Sequence, residues 1–170
     1  MSDGSQPFSA SPSVPKPPTP LELHVTSDTA NVSVVRRAVE TYSVAAGFDE
    51  IEAGQIGLVI NEAIANIIRH AYHGQSGRPI ELTAEPLPNG SHGMSMRLKL
   101  RDWGDGADPD ECCTKEYVAG VPGGLGLVCL RCFMDEVDFA TQADGGMLLT
   151  LVKRKNAGTE ARRHEGTKGN

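Results

Sequence analysis

The sequence predicts an α/β (α+β) two-layer sandwich, in which a mixed, mostly antiparallel sheet carries three main helices on one face. Short runs of alternating apolar and polar residues give strands with one buried side. Longer runs with apolar residues at steps of three and four give helices that bury one stripe. Their order, strand, two helices, two strands, long loop, helix, two strands, lets neighbouring strands pair while the helices cover a common face.

Met1 to Pro20 is rich in Ser and Pro, which removes backbone donors and disfavours helix, so residues 1–20 are expected to be a disordered tail. Leu21, Leu23 and Val25 alternate with Glu22 and His24 as a first strand. Ser27 or Asp28 is placed to cap a helix buried through Val32, Val35, Val39, Tyr42 and Ala46, and Gly47 suits its end. Asp49 and Glu52 have capping-box spacing before a second helix, buried through Ile56, Val59, Ile60, Ala63, Ile64, Ile67, Ile68 and Ala71. That helix is expected to continue to His73-Gly74.

Ile80, Leu82 and Ala84 then alternate with charged or polar residues, and Pro86 to Gly93 reads as a turn. Met94, Met96, Leu98 and Leu100 form a third strand that delivers Asp102 to the sheet's end. Ala107 to Pro122 lacks a clean period and is expected to be a long lid loop. Leu125 to Met134 is helical in pattern, and Val137, Phe139 and Thr141 are strand-like. After the Ala143 to Gly146 turn, Met147, Leu149 and Leu151 complete a hairpin. The polar run from Lys153 to Asn170 is expected to fray, with the folded domain spanning about 21–154 and a flexible tail over 155–170.

The 170 residues, 39% hydrophobic and 22% charged, suit one domain with one sizeable core. A net charge of −6 argues against direct nucleic-acid binding, because no basic face is implied. No run is expected to reach the roughly 18 apolar residues of a membrane span, and the N-terminus lacks signal-peptide order. Both point to a cytoplasmic protein without a membrane partner. Cys112, Cys113, Cys129 and Cys132 have side chains suited to zinc, but Cys129 and Cys132 sit among apolar residues and are expected to pack as buried thiols. Trp103 is expected to serve packing or lid contact.

Three segments carry chemistry in order. On the second helix Glu62, Asn66 and Arg69 fall together on the side away from the buried stripe, and His70-Ala71-Tyr72 follows. By itself such a pair is usually a solvated face. Asp102-x-Gly104-x-Gly106 comes directly after a strand, where glycines let the backbone approach a planar ligand, although the pentapeptide alone also fits an ordinary turn. Gly123-Gly124-Leu125-Gly126-Leu127 opens a helix, where free N–H groups and the helix dipole favour phosphate.

Together these segments resemble the N box and the two glycine boxes of the Bergerat-fold (GHKL) ATP-binding domains. Within that superfamily the chain is most similar to the anti-sigma-factor serine/threonine kinases, from about Leu21 to Arg154. The resemblance implies ATP and Mg²⁺ as cofactors. It implies Glu62 as the general base, Asn66 as the Mg²⁺ ligand and Asp102 as acceptor of the adenine amino proton. It also assigns Arg69, His70, Gly104, Gly106, Gly123, Gly124, Leu125, Gly126, Leu127 and Thr150 to ATP binding.

The implied partners are a sigma factor and a STAS-domain anti-anti-sigma protein carrying the acceptor hydroxyl. The first strand and the Arg36-Arg37 face are the surface expected for homodimer formation and sigma binding. Two positions depart from the family pattern. Met147 follows Gly146 where members usually have Thr, and Pro122 and Leu125 stand where an arginine often lies, leaving Lys115 as the lid cation.

Overall fold

The computed structural model describes residues 17–88, 94–105 and 130–155. Their sheet has five strands, β1 (Leu21–Thr26), β2 (Pro79–Pro88), β3 (Met94–Asp102), β4 (Glu136–Thr141) and β5 (Met147–Arg154), in spatial order β1-β2-β3-β5-β4. Helices α1 (Thr29–Ala45) and α2 (Glu50–Asn66) lie between β1 and β2 in the chain. The two-layer architecture is the predicted one. Every strand pairing is antiparallel. Two helices in succession return the chain to the end from which it left β1, so β2 must run the other way. β4 has the same direction as β3, as a single-helix crossover would give, but β5 is inserted between them as the return arm of a hairpin.

One face of the sheet holds the core. Ile80, Leu82 and Ala84 of β2, Met96, Leu98 and Leu100 of β3, and Leu149 and Leu151 of β5 pack with Val35 and Val39 of α1 and Ile56, Ile60 and Ile64 of α2. Their intervening partners, among them Glu81, Thr83, Lys99 and Thr150, point to the other side, so the period of two separates core from solvent. Asp49 and Glu52 make the predicted capping box at the start of α2. Asp28 caps α1 by position but without a side-chain bond to the helix, because its carboxylate accepts from the Thr26 hydroxyl instead.

Four expectations are corrected. β2 extends through Pro86 and Pro88, which the sequence reading placed in a turn; the ladder with β1 stops at Leu21 opposite Ala84, so no N–H is required of these prolines on that side. Lys153 and Arg154 do not fray but end β5: Lys153 is buried opposite Met96, and its ammonium donates to the Phe133 carbonyl at 2.8 Å. That carbonyl lies at the end of a third helix, of which residues 130–133 are described.

The helical span Glu50–Ala71 is 22 residues long and apolar enough to cross a membrane by length and composition, contrary to the expectation that no such run exists. It is the core helix here, since Ile56, Val59 and Ile60 are fully enclosed. Finally, this span is not one regular helix: after Asn66 it widens into a π-helical turn, Ile67–Ala71.

Candidate functional site

The site is built where the end of α2 meets the end of β3. Ile68 and Ala71 keep the buried stripe through the π-helical turn, and the Tyr72 N–H reaches the Ile67 carbonyl at 2.9 Å, five residues back. One extra residue in the turn shifts all that follows relative to an ideal helix, a feature often found at functional sites. The consequence is a buried Tyr72 whose hydroxyl donates to the Pro79 carbonyl at 2.5 Å and accepts the Trp103 N–H at 2.8 Å. A single phenol thus ties the end of the helix to the start of β2 and the end of β3. Burial is the main cause that raises its pKa.

Asp102 stands at the end of the core-facing row of β3, opposite Ile80, and is only 4% exposed. Its Oδ1 accepts the Gly104 N–H at 2.9 Å, and the backbone of Met147 lies near enough to favour the ionised form. Desolvation outweighs these contacts and the nearby Arg101 charge, so the carboxyl is held above its ordinary pKa. An ionised carboxylate offers about four acceptor positions. With the Gly104 N–H engaged on Oδ1, capacity remains for an amino group of a ligand.

Main chain packs on main chain around this carboxylate. A Cβ on Gly104 would lie 2.6 Å from both the Cβ and the carbonyl carbon of Ala71, and the Asp105 N–H donates to the Ala71 carbonyl at 3.3 Å. Gly146, at φ +71°, would place a Cβ 2.5 Å from the Trp103 Cα and against the Asp102 carbonyl oxygen. Glycine is required at both positions for closeness, and at Gly146 for its left-handed backbone as well.

Glu62 and Asn66 are half-buried on α2, one turn apart, about 6 Å along the axis at 1.5 Å per residue. The Asn61 side-chain amide is 3.5 Å from Glu62 Oε1. Arg69 and His70 lie on the π-helical turn and are exposed. Arg69 is exposed, off the buried stripe as expected, and follows Asn66 through a turn that departs from α-helical phase.

Thr150 is displaced from expectation. It pairs with Lys99 and Asp138 and alternates with buried Leu149 and Leu151, so it faces away from the side that carries Asp102. Met147, on the Asp102 side, is the residue of β5 that reaches the site. Gly106, Gly123, Gly124, Leu125, Gly126 and Leu127 lie outside the described residues, as do the lid with Lys115, Cys112 and Cys113, and Cys129. Cys132 is exposed, which corrects its expected burial.

These features fit a nucleotide base set against a buried carboxylate, with a carboxylate and an amide oxygen displayed on the adjoining helix. The family described as histidine kinase-like ATPase domain matches residues 25–153.

The chain belongs to the histidine kinase-like ATPase domain family. Among its relatives is an anti-sigma F factor from Heyndrickxia coagulans, 26% identical over 146 residues that cover 81% of this chain and 95% of the relative. The serine-protein kinase RsbW of Bacillus pumilus is 23% identical, over 80% of this chain and 86% of its own. In fold, the chain is similar to a crystal structure of RsbU and RsbW domains from Mycobacterium tuberculosis, with TM-score 0.59, 21% identity and 81% of this chain covered. This chain spans only about a third of that one, 32%. The SiaB–SiaC complex of Pseudomonas aeruginosa gives a TM-score of 0.54 at 16% identity, covering 78% of this chain and 88% of that one. Histidine kinase-like ATPase domains are named for ATP use, and the oxygen donors of Asn66 and of Glu62 are of the kind that Mg²⁺ and a transferred proton need.

The sequence reading missed Tyr72 as a structural bridge, Gly146 as a close-approach glycine and Arg101 as a hairpin contact. Tyr72 stood in a quoted motif without a partner, and Gly145-Gly146 read as a turn. In each case the signal was present but its partner lay far away in the chain.

Proposed function

We propose that this chain is an ATP-dependent serine/threonine protein kinase and anti-sigma factor, which sequesters a sigma factor and phosphorylates a STAS-type anti-anti-sigma protein. The observation that carries the reading is the junction at Ala71: it brings main chain next to Asp102 against the end of the helix that displays Glu62 and Asn66 one turn apart. The names of the bacterial relatives, an anti-sigma F factor and a serine-protein kinase, support the same class.

In this reading Asp102 selects the base by accepting its exocyclic amino N–H, an interaction that a base with a carbonyl at that position lacks. Asn66 supplies an amide oxygen for Mg²⁺, which needs few protein ligands when phosphate oxygens and water fill the rest of its shell. Bound Mg-ATP provides the transferable phosphoryl group. Glu62 takes the proton of the acceptor hydroxyl, and the Asn61 amide lies 3.5 Å from its carboxylate. A cytoplasmic location and a surface for self-association that includes β1 and the Arg36–Arg37 side of α1 go with this assignment.

A second reading is favoured by Pro122 and Leu125, which stand where a phosphate-neutralising arginine often lies in the resembled kinases. There the chain captures its sigma factor under control of ATP and transfers no phosphate. Glu62→Gln separates the two. As kinase, the variant keeps nucleotide affinity and sigma capture while phosphotransfer to a STAS protein drops by roughly 10²–10⁴-fold. If the wild type captures a sigma factor with ATP yet labels no STAS protein with radioactive phosphate, the chain is an ATP-gated binder.

A further inference from the structure

We propose that Arg101, Trp103 and Asp144 form a clasp that positions the β4–β5 hairpin against Asp102, which makes them positioning residues for base recognition. The inference rests on the reading of Asp102 as the base acceptor.

The β3–β5 ladder ends at Arg101 opposite Leu148. Beyond that pair the two backbones carry Asp102 and Trp103 on one side and Gly146 and Met147 on the other, and something else must hold them in register. Arg101 does so. Its guanidinium donates to the Asp102 carbonyl, to the Gly145 carbonyl at 2.6 Å and to the Met147 carbonyl at 3.4 Å, and it pairs with the Asp144 carboxylate at 2.7 Å. A planar fork with five donors can gather several acceptors at once, which an ammonium could not do in the same geometry.

The same guanidinium lies 4.5 Å from the centroid of the Trp103 ring, and the indole N–H donates to the other Asp144 oxygen at 3.2 Å. Asp144 therefore joins the hairpin tip to both residues that flank Asp102. The Arg101 side chain is only 12% exposed although it springs from the solvent face of the sheet, so the clasp covers it.

The result of this arrangement is functional as well as structural. Gly146 is pressed onto the Asp102–Trp103 backbone, which fixes the main chain from which the Asp102 carboxylate springs. Loosening the clasp frees that backbone and lets the carboxylate shift, so base affinity falls before the sheet itself fails.

The test compares Arg101→Gln and Asp144→Asn with Arg97→Gln in the full chain. Arg97 makes an ion pair of the same kind with Glu85, at 3.1 Å on the same strand and face, but away from the turn of the hairpin. ATP affinity is measured by calorimetry, and Trp103, the only tryptophan in the chain, reports the clasp by its emission.

Both clasp variants are expected to bind ATP roughly tenfold more weakly, the loss of about one charge-assisted hydrogen bond, with a shifted emission maximum. Arg97→Gln should change neither. Wild-type affinity and emission in the clasp variants would overturn the proposal, as would an equal loss in Arg97→Gln. Should Arg101→Gln fail to fold, exposed Asp144→Asn decides alone. Wild type that binds no ATP would instead refute the nucleotide reading on which the clasp rests.

Discussion

Replacing Gly146 by alanine should cost far more than replacing its neighbour Gly145, and the difference measures how closely the hairpin sits on the site. Both glycines have positive φ, +71° and +91°. An L-residue in that region costs about 1–2 kcal/mol, so each substitution carries that term. At Gly145 the new methyl meets nothing within 4 Å, and the backbone term is the whole effect. At Gly146 the methyl would fall 2.5 Å from the Trp103 Cα and against the Asp102 carbonyl oxygen. Those atoms are backbone, which cannot swing aside as a side chain would, so an overpacking cost of about 1–3 kcal/mol is added.

Gly145→Ala is therefore expected to lose about 1–2 kcal/mol and Gly146→Ala about 2–5 kcal/mol. Urea unfolding followed by Trp103 emission reads both, as a lower midpoint at unchanged slope. Gly146→Ala should also weaken ATP binding, because the backbone that must move includes Asp102, whereas Gly145→Ala should not. Equal destabilisation of the two variants would show that the close approach of the hairpin is absent in solution, and the placement of Gly146 would be wrong.

Asp102→Asn should weaken ATP binding by about 10–150-fold, the equivalent of one charge-assisted hydrogen bond worth roughly 1.5–3 kcal/mol, and unchanged calorimetric affinity would remove Asp102 from the site. Its stability should respond to pH with a definite sign. Burial raises the folded pKa of this carboxyl, so its contribution is most favourable below the unfolded value and is lost as pH rises through the folded one. The difference between Asp102→Asn and wild type should accordingly move in the variant's favour as pH rises above about 4, the ordinary carboxyl value, as parallel urea titrations would show. Gly54→Ala, inside α2 with open space around the added methyl, should stabilise the chain by up to about 1 kcal/mol, and a thermal melt that shows loss would mean that α2 packs differently.

The sequence by itself determined the layers and the buried face of nearly every element. Alternation along β1, β2, β3 and β5 separates core from solvent without reference to any partner, because a strand's side chains must point to opposite faces. The stripe on α2 and the Asp49–Glu52 capping box are equally local, and so is the delivery of Asp102 by a buried strand. Only the tertiary structure decided what depends on a distant partner. Pro86 and Pro88 belong to a strand because β1 begins only at Leu21, opposite Ala84; nothing within Pro86-Leu87-Pro88 reveals how far another strand reaches. The π-helical turn after Asn66 changes the phase of Arg69, and apolar spacing cannot distinguish a helix that widens over its last turn from one that does not. Thr150 was misplaced although its neighbours alternate plainly, since the face it occupies matters only once Asp102 is seen to lie on the other one. Arg101 and Asp144 are 43 residues apart and meet through the β3–β5 register alone, so their ion pair is a property of the sheet and of no segment within it.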